Sequence, residues 1–264
     1  MRINQSMAFE RVNGKLVLRE LRKLRELRKL ACQGEVEAIH DFRGGLRRIR
    51  VLLEIAGGSK TRRLRKRAGK FASVLGEVRD LDVVLALMQE GAIGQVDTHT
   101  WQEELRTERG TQLERTRSVL MSPEFTRWTR KAARWARDSN GSADAKNRLT
   151  LVLSNAIEEA REHVGGHSDE DMHCLRIGVK KTRYLIELFS DFFPETSGRI
   201  AKDLERAQDA FGLDRDRMRL NTLARDRPEL RGHHALDSAT NLTVLESLAT
   251  NALCEASTLV RDLA

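Results

Sequence analysis

One basic motif is written twice in this 264-residue chain, and the repeat constrains the fold more than any other feature. His40-Asp41-Phe42-Arg43-Gly44-Gly45-Leu46-Arg47-Arg48-Ile49-Arg50 returns 133 residues later as His173-Cys174-Leu175-Arg176-Ile177-Gly178-Val179-Lys180-Lys181-Thr182-Arg183. A period this long signals a duplicated domain rather than a short-repeat solenoid. In the first copy His40, Arg43, Arg47 and Arg50 are spaced by three, four and three residues, so on a helix they share one stripe. That stripe borders an apolar face made of Phe42, Leu46, Ile49 and Leu53. The second copy sets His173, Arg176, Lys180 and Arg183 beside Leu175, Val179, Ile186 and Phe189. Arg48 falls off the stripe and reads as an outward, solvated charge. From Arg43 to Arg50 the stripe is about 10 Å long, enough to engage several consecutive phosphates.

The duplication continues into the next segment at an offset of 136. Arg63 answers to Arg199, Lys66 to Lys202, Lys70 to Arg206, and Arg79 to Arg215. Leu64, Ala68, Leu75 and Gly76 answer to Ile200, Leu204, Phe211 and Gly212, whereas Arg67 is replaced by Asp203. The change of offset is absorbed by a longer turn, which costs little. A merely solvated face would exchange Lys and Glu freely, so charge kept at four matched positions points to binding.

Apolar residues three and four apart predict helices throughout, and only 3 Pro and 1 Tyr occur, with β-branched runs nearly absent. The expected helices cover about 8–31 (anchored by Leu21, Leu24, Leu27 and Leu30), 35–56, 60–89 and 98–120. Leu64, Ala68, Phe71, Leu75 and Val78 are expected to face inward on the third. Ser122-Pro123-Glu124 starts a further helix, with Ser as cap and Pro in the first turn. The polar stretch from Asp138 to Asp144 reads as a boundary. Four more helices are expected at about 145–163, 169–192, 197–224 and 238–262, separated at Gly165-Gly166, at Phe193-Pro194 and between Pro228 and Gly232. On the last, Leu242, Leu245, Leu253 and Leu259 read as core. The expected fold is therefore all-α: two pseudo-symmetric four-helix bundles, residues 8–120 and 143–264, joined by a connecting helix and linker at 121–142. Two cationic helices of this kind can face each other across a basic groove.

The chain carries a formal charge of +8, and 36 of its 47 basic residues are Arg. The planar Arg fork matches phosphate oxygens bidentately, so this balance suits phosphate ligands. The 3 Cys are odd in number and form no C-x-x-C pair, so neither a disulfide framework nor a zinc knuckle is expected. No apolar run of transmembrane length or signal-peptide character is present, and a cytoplasmic location is the expectation.

The segments HDFRGGLRRIRVLLEI, FASVLGEVRDLDVVLALM and MHCLRIGVKKTRYLIELF resemble the signature stretches of the CHAD family, the conserved histidine α-helical domain. The resemblance covers both halves, so that 1–264 would be a single CHAD domain. It implies a basic groove that binds inorganic polyphosphate without catalysis, and association with polyphosphate granules. Carried over by position, the binding residues would be Arg43, Arg47, Arg48 and Arg50 in the first copy and Arg176, Lys180, Lys181 and Arg183 in the second. Arg63, Lys66, Lys70, Arg199, Lys202 and Arg206 would extend the lining, and His40 and His173 would be structural histidines of the motif. Gly44-Gly45 departs from the small apolar pair of the family, so a locally softened helix is expected there. Some family members carry a triphosphate-tunnel hydrolase domain, but no such segment precedes His40, and neither a hydrolase activity nor a cofactor is expected.

Two other readings compete. A basic helical protein can hold DNA or RNA non-specifically, yet aromatic residues make up only 5% of the chain and none interleaves with the first stripe. His40-Asp41 also reads as the HD pair of a metal-dependent phosphohydrolase. That site needs an earlier His and a later Asp on the metal. No His precedes position 40, and Asp80 and Asp82 read as partners of Arg79 or as local caps, so no metal is expected.

Overall fold

In a computed structural model, residues 3–91, 98–138, 145–166, 168–225 and 242–263 are described. In order come α1 Ile3–Gln33, α2 Val36–Ala56, α3 Gly58–Gln89, α4 His99–Met121 and α5 Pro123–Asp138. They are followed by α6 Ala145–Arg161, α7 Asp169–Leu188, a 3₁₀ turn at Ser190–Phe192, α8 Ser197–Arg225 and α9 Leu242–Leu263. The described residues contain no strand, so the all-α expectation holds. The seventh helix stops at Leu188 rather than running to 192, because the chain tightens into the 3₁₀ turn ahead of Pro194. Most of the break expected between the third and fourth helices, most of the boundary from Asp138 to Asp144, and the Pro228 to Gly232 turn lie outside the described residues, as do the first residues expected of the last helix.

Two compact units result: Met1–Ala145 with Leu223–Leu236, and Lys146–Thr222 with Asp237–Ala264. In the first, α1, α2, α3 and α4 pack in sequence, and α5 lies against α1, α3 and α4. The segment expected as a connector is thus a fifth bundle helix. Its Phe125, Trp128 and Ala132 are buried in the same core as Phe42, Leu46, Ile49, Leu64, Phe71 and Leu75. Phe71 meets Phe125 and Trp128 edge-on, with centroids 5.0 and 5.4 Å away. Burying a side chain of this kind contributes roughly 2–3 kcal/mol. The Trp128 indole N–H donates to the Leu64 carbonyl at 3.1 Å, tying α5 to α3. Ser122 accepts from the Phe125 amide at 3.1 Å, which is the expected N-cap of α5.

Several side chains depart from the sequence expectations. Leu24 is fully buried and Leu21 and Leu27 pack on the core, but Leu30 is 45% exposed, while its neighbours Ala31 and Cys32 are the ones buried in the core at that turn. The helix is not interrupted at Gly44-Gly45. Gly45 is buried, and a Cβ there would lie 2.8 Å from Leu24 Cδ2, so the glycine lets α1 and α2 approach. Asp82 is not a partner of Arg79. It is buried and pairs with Arg109 of α4, which also donates to the Gly34 carbonyl at 2.7 Å. Gly34, at φ +90°, takes the left-handed conformation that ends α1.

In the second unit Leu149, Leu153, Ile157, Leu175, Val179, Leu185, Leu204, Leu253 and Leu259 are buried, and α7 packs against α9. The side chains of Leu242 and Leu245 lie outside the described residues.

Candidate anion-binding surfaces

Both copies of the motif are helical, yet their charged side chains meet different surroundings. On α2, Arg43 and Arg47 are half-buried and Arg50 is exposed. Arg43 Nε donates to the Ala72 carbonyl of α3 at 3.4 Å. Its guanidinium lies over Gly76, where a Cβ would come within 3.1 Å of it. Arg50 lies over Gly69 in the same way, at 3.5 Å. The two arginines are two turns apart on α2 and the two glycines two turns apart on α3. The missing Cβ atoms leave a shallow trough in which the guanidiniums rest.

Lys66 and Lys70 stand beside this trough on α3, both exposed. Arg50, Arg63, Lys66 and Lys70 form no hydrogen bond or ion pair among the described residues. Arg63 belongs to a different surface. At 100° per residue it turns away from Gly69, and it lines a groove between α3 and α5 together with Lys60 and Arg67. Arg48 corrects the expectation of a solvated charge: its Nε sits 2.8 Å from Glu20 Oε2, and the Glu20 side chain is wholly buried on α1. Arg19 and Lys23 add weaker contacts at 3.5 Å, so the carboxylate is held from three sides. Arg48 therefore faces α1, away from the trough. His40 is exposed, 3.4 Å from its neighbour Asp41.

On α7, Arg183, the counterpart of Arg50, is held by Glu205 at 2.5 Å and Glu187 at 3.2 Å, and it lies 5.2 Å from the Tyr184 ring. Lys180 lies over the same ring at 5.8 Å, and Lys181 is half-buried. Arg199 is paired with Glu255 at 2.5 Å and Asp203 at 3.6 Å, and Arg206 with Asp203 at 3.2 Å. The Glu255 hydrogen bonds and charge raise the Arg199 guanidinium above its ordinary value. Lys202 is exposed and has no partner among the described residues. Arg176 and the exposed His173 line a groove of about 260 Å³ between α7 and α8 that also holds Asp169 and Asp214. Burial pushes the Asp214 carboxyl up, against the opposing pull of Arg217. This groove is of mixed sign.

Sequence reasoning missed the cations of α5 and of the adjoining face of α1. Arg22, Arg25, Arg28, Arg130 and Arg137 line one groove of about 630 Å³, and Lys131 and Arg134 line the α3/α5 groove. Their three- and four-residue spacing was visible, but α5 has no counterpart among the described helices of the second half, so a search for duplicated charges passes over it. Among the described residues no three His, Cys, Asp or Glu side chains are gathered to hold a metal, and no helix is long and apolar enough to cross a membrane.

A family model described as CHAD domain matches residues 15–225 of the chain. No curated protein matches it. Among solved structures it is similar to the crystal structure of the CHAD domain from the plant Ricinus communis, at 18% identity and a TM-score of 0.69, covering 97% of this chain and 91% of that one. It is also similar to PptA from Streptomyces chartreusis, at 18% identity and a TM-score of 0.62, covering 98% of each chain. At such identities these likenesses speak for the fold.

Proposed function

The chain belongs to the CHAD domain family, and from that premise we propose that it binds inorganic polyphosphate without catalysis, using the duplicated basic helices and their neighbours. The observation that carries this reading is the unneutralised run of Arg50, Lys66 and Lys70 along the α2/α3 trough, continuing the line of Arg43 and Arg47. Cations without protein partners are balanced by mobile counterions. A linear polyanion displaces those ions, and their release drives association that weakens as salt rises. The glycine trough adds geometry: it sets the guanidiniums along α3 at intervals that a phosphate chain can follow. Arg176, Lys180, Lys181, Arg183, Arg199, Lys202 and Arg206 supply a second, more neutralised set. Such binding would bring the protein to polyphosphate granules.

The test is retention of long-chain polyphosphate by the full chain. Arg50→Glu, Lys66→Glu and Lys70→Glu together change only exposed side chains, so helix content and melting stay as in the parent. Retention at moderate salt is expected to fall by about a hundredfold. Unchanged retention overturns the assignment to this trough. Displacement of polyphosphate by duplex DNA at matched phosphate concentration overturns the choice of ligand in favour of nucleic acid.

A further inference from the structure

We propose that the groove between α3 and α5 of the first unit is a separate binding site for a nucleoside polyphosphate. The inference goes beyond the polyphosphate reading and does not depend on it. The groove encloses about 660 Å³, within the range of small-ligand sites. Lys60, Arg63 and Arg67 on one wall follow helical spacing, as do Lys131 and Arg134 on the other. All five are exposed, and only Arg67 has an acid partner among the described residues, Glu124 at 3.7 Å. Four cations thus converge on one cleft without neutralisation, as two or three linked phosphates require.

Two further features separate this groove from a surface for phosphate alone. Trp128, in the floor, is fully buried and has spent its N–H on Leu64, so it anchors the wall and offers a ligand nothing. Trp135, one helical turn from Lys131, is half-buried: it packs against the core and also lines the groove. It has no hydrogen bond among the described residues, which leaves both its N–H and part of its ring available to a flat heterocycle. Asp138 closes the same wall. A carboxylate repels bare phosphate but accepts from sugar hydroxyls or a ring amine. Cations for the phosphates, an indole for the base and a carboxylate for the sugar or base edge together describe a nucleotide.

Titrating the full chain with ATP, tripolyphosphate and adenosine, followed by calorimetry and Trp emission, tests this. ATP is expected to bind about tenfold more tightly than tripolyphosphate, the equivalent of one base stack, and to quench emission. Trp135→Leu should bring ATP down to the tripolyphosphate level while leaving tripolyphosphate unchanged. The exposed pair Lys131→Glu with Arg134→Glu should weaken ATP binding, and Arg50→Glu with Lys70→Glu should leave it unchanged, which separates this groove from the α2/α3 trough. Equal affinity for ATP and tripolyphosphate in the parent, with Trp135→Leu without effect, overturns the proposal. So does ATP binding that the trough variant removes.

Discussion

Arg50 and Arg183 occupy the same position in the two copies of one motif, yet Arg50 lies exposed over Gly69 while Arg183 is clamped by Glu187 and Glu205. Glu205 stands at the position that corresponds to Gly69, so the facing helix gives Arg183 an acid where it gives Arg50 none. The same contrast recurs along the helix. Arg63 has no acid partner among the described residues, but its counterpart Arg199 is paired with Glu255 and Asp203. Asp203 itself stands where the first half has Arg67. Both copies carry cations at these positions, but in the second acids stand beside them. Retained charge is therefore not the same as available charge, and the first unit is the stronger candidate for holding a polyanion.

The copies also differ in how tightly their helices cross, and the largest expected effect tests that difference. Gly45 and Gly178 are matched glycines, each where its helix meets the preceding one. A Cβ at Gly178 would lie 2.5 Å from the Ala160 Cβ and 2.9 Å from the Ala156 carbonyl oxygen, so relief requires moving α6. A Cβ at Gly45 meets mainly the far end of the flexible Leu24 side chain. Gly178→Ala should cost about 3 kcal/mol, and Gly45→Ala about 1 kcal/mol after the gain in helix propensity. Urea unfolding followed by circular dichroism measures both. Equal losses would mean that the two crossings are equally adaptable.

The charge contrast is broken most directly by copying the second half into the first. A Cβ at Gly69 would sit in ordinary contact with the Arg50 guanidinium, so Gly69→Glu has room and places a carboxylate where Glu205 stands in the other copy. Polyphosphate affinity should fall about tenfold, and the slope of log K against log salt should shrink by about one. Thermal stability should rise slightly, since a glycine inside a helix is replaced. Glu205→Gln should act in the opposite direction and more weakly, because Glu187 still pairs with Arg183 at 3.2 Å. A weaker Gly69→Glu protein with an unchanged salt slope would trace the loss to shape rather than charge.

Most of the architecture was legible in the sequence because it rests on local periodicity. The spacing of Phe42, Leu46, Ile49 and Leu53 sets both the helix and its buried face, and Ser122 marks the start of α5 through its own cap. The pairing of charges was not legible, because it is set by residues from other helices. Arg48 is off the stripe, as the spacing required, but only the fold brings the buried Glu20 to it across 28 positions. Asp82 likewise finds Arg109 rather than its neighbour Arg79. The role of α5 was hidden for a related reason. A 16-residue helix after a bundle reads as a connector until Phe125 and Trp128 are seen inside the aromatic core.

The smallest expected effect sharpens the comparison at the helix starts. No side-chain cap closes the start of α2 at Glu35, whereas α7 opens with a capping box in which Ser168 accepts from the Asp171 amide at 3.1 Å and Asp171 accepts from the Ser168 amide at 3.3 Å. His163 Nδ1 lies 2.8 Å from Asp171 Oδ1. The Ser168 hydroxyl first, and then His163, hold the Asp171 carboxyl below the ordinary aspartate value. A carboxylate whose folded value is lowered stabilises the fold fully above its unfolded value and loses that contribution as pH falls through the folded one. Ser168→Ala should therefore cost about 1 kcal/mol at neutral pH. The cost should shrink as pH drops from about 4, because protonation weakens the same box in the parent protein. Hydrogen exchange of the amides at 169–172 in α7, compared with those at 36–39 in α2, reads the effect locally. Only the α7 set should lose protection in acid. A loss shared by both helices would place the acid-sensitive group elsewhere than in this box.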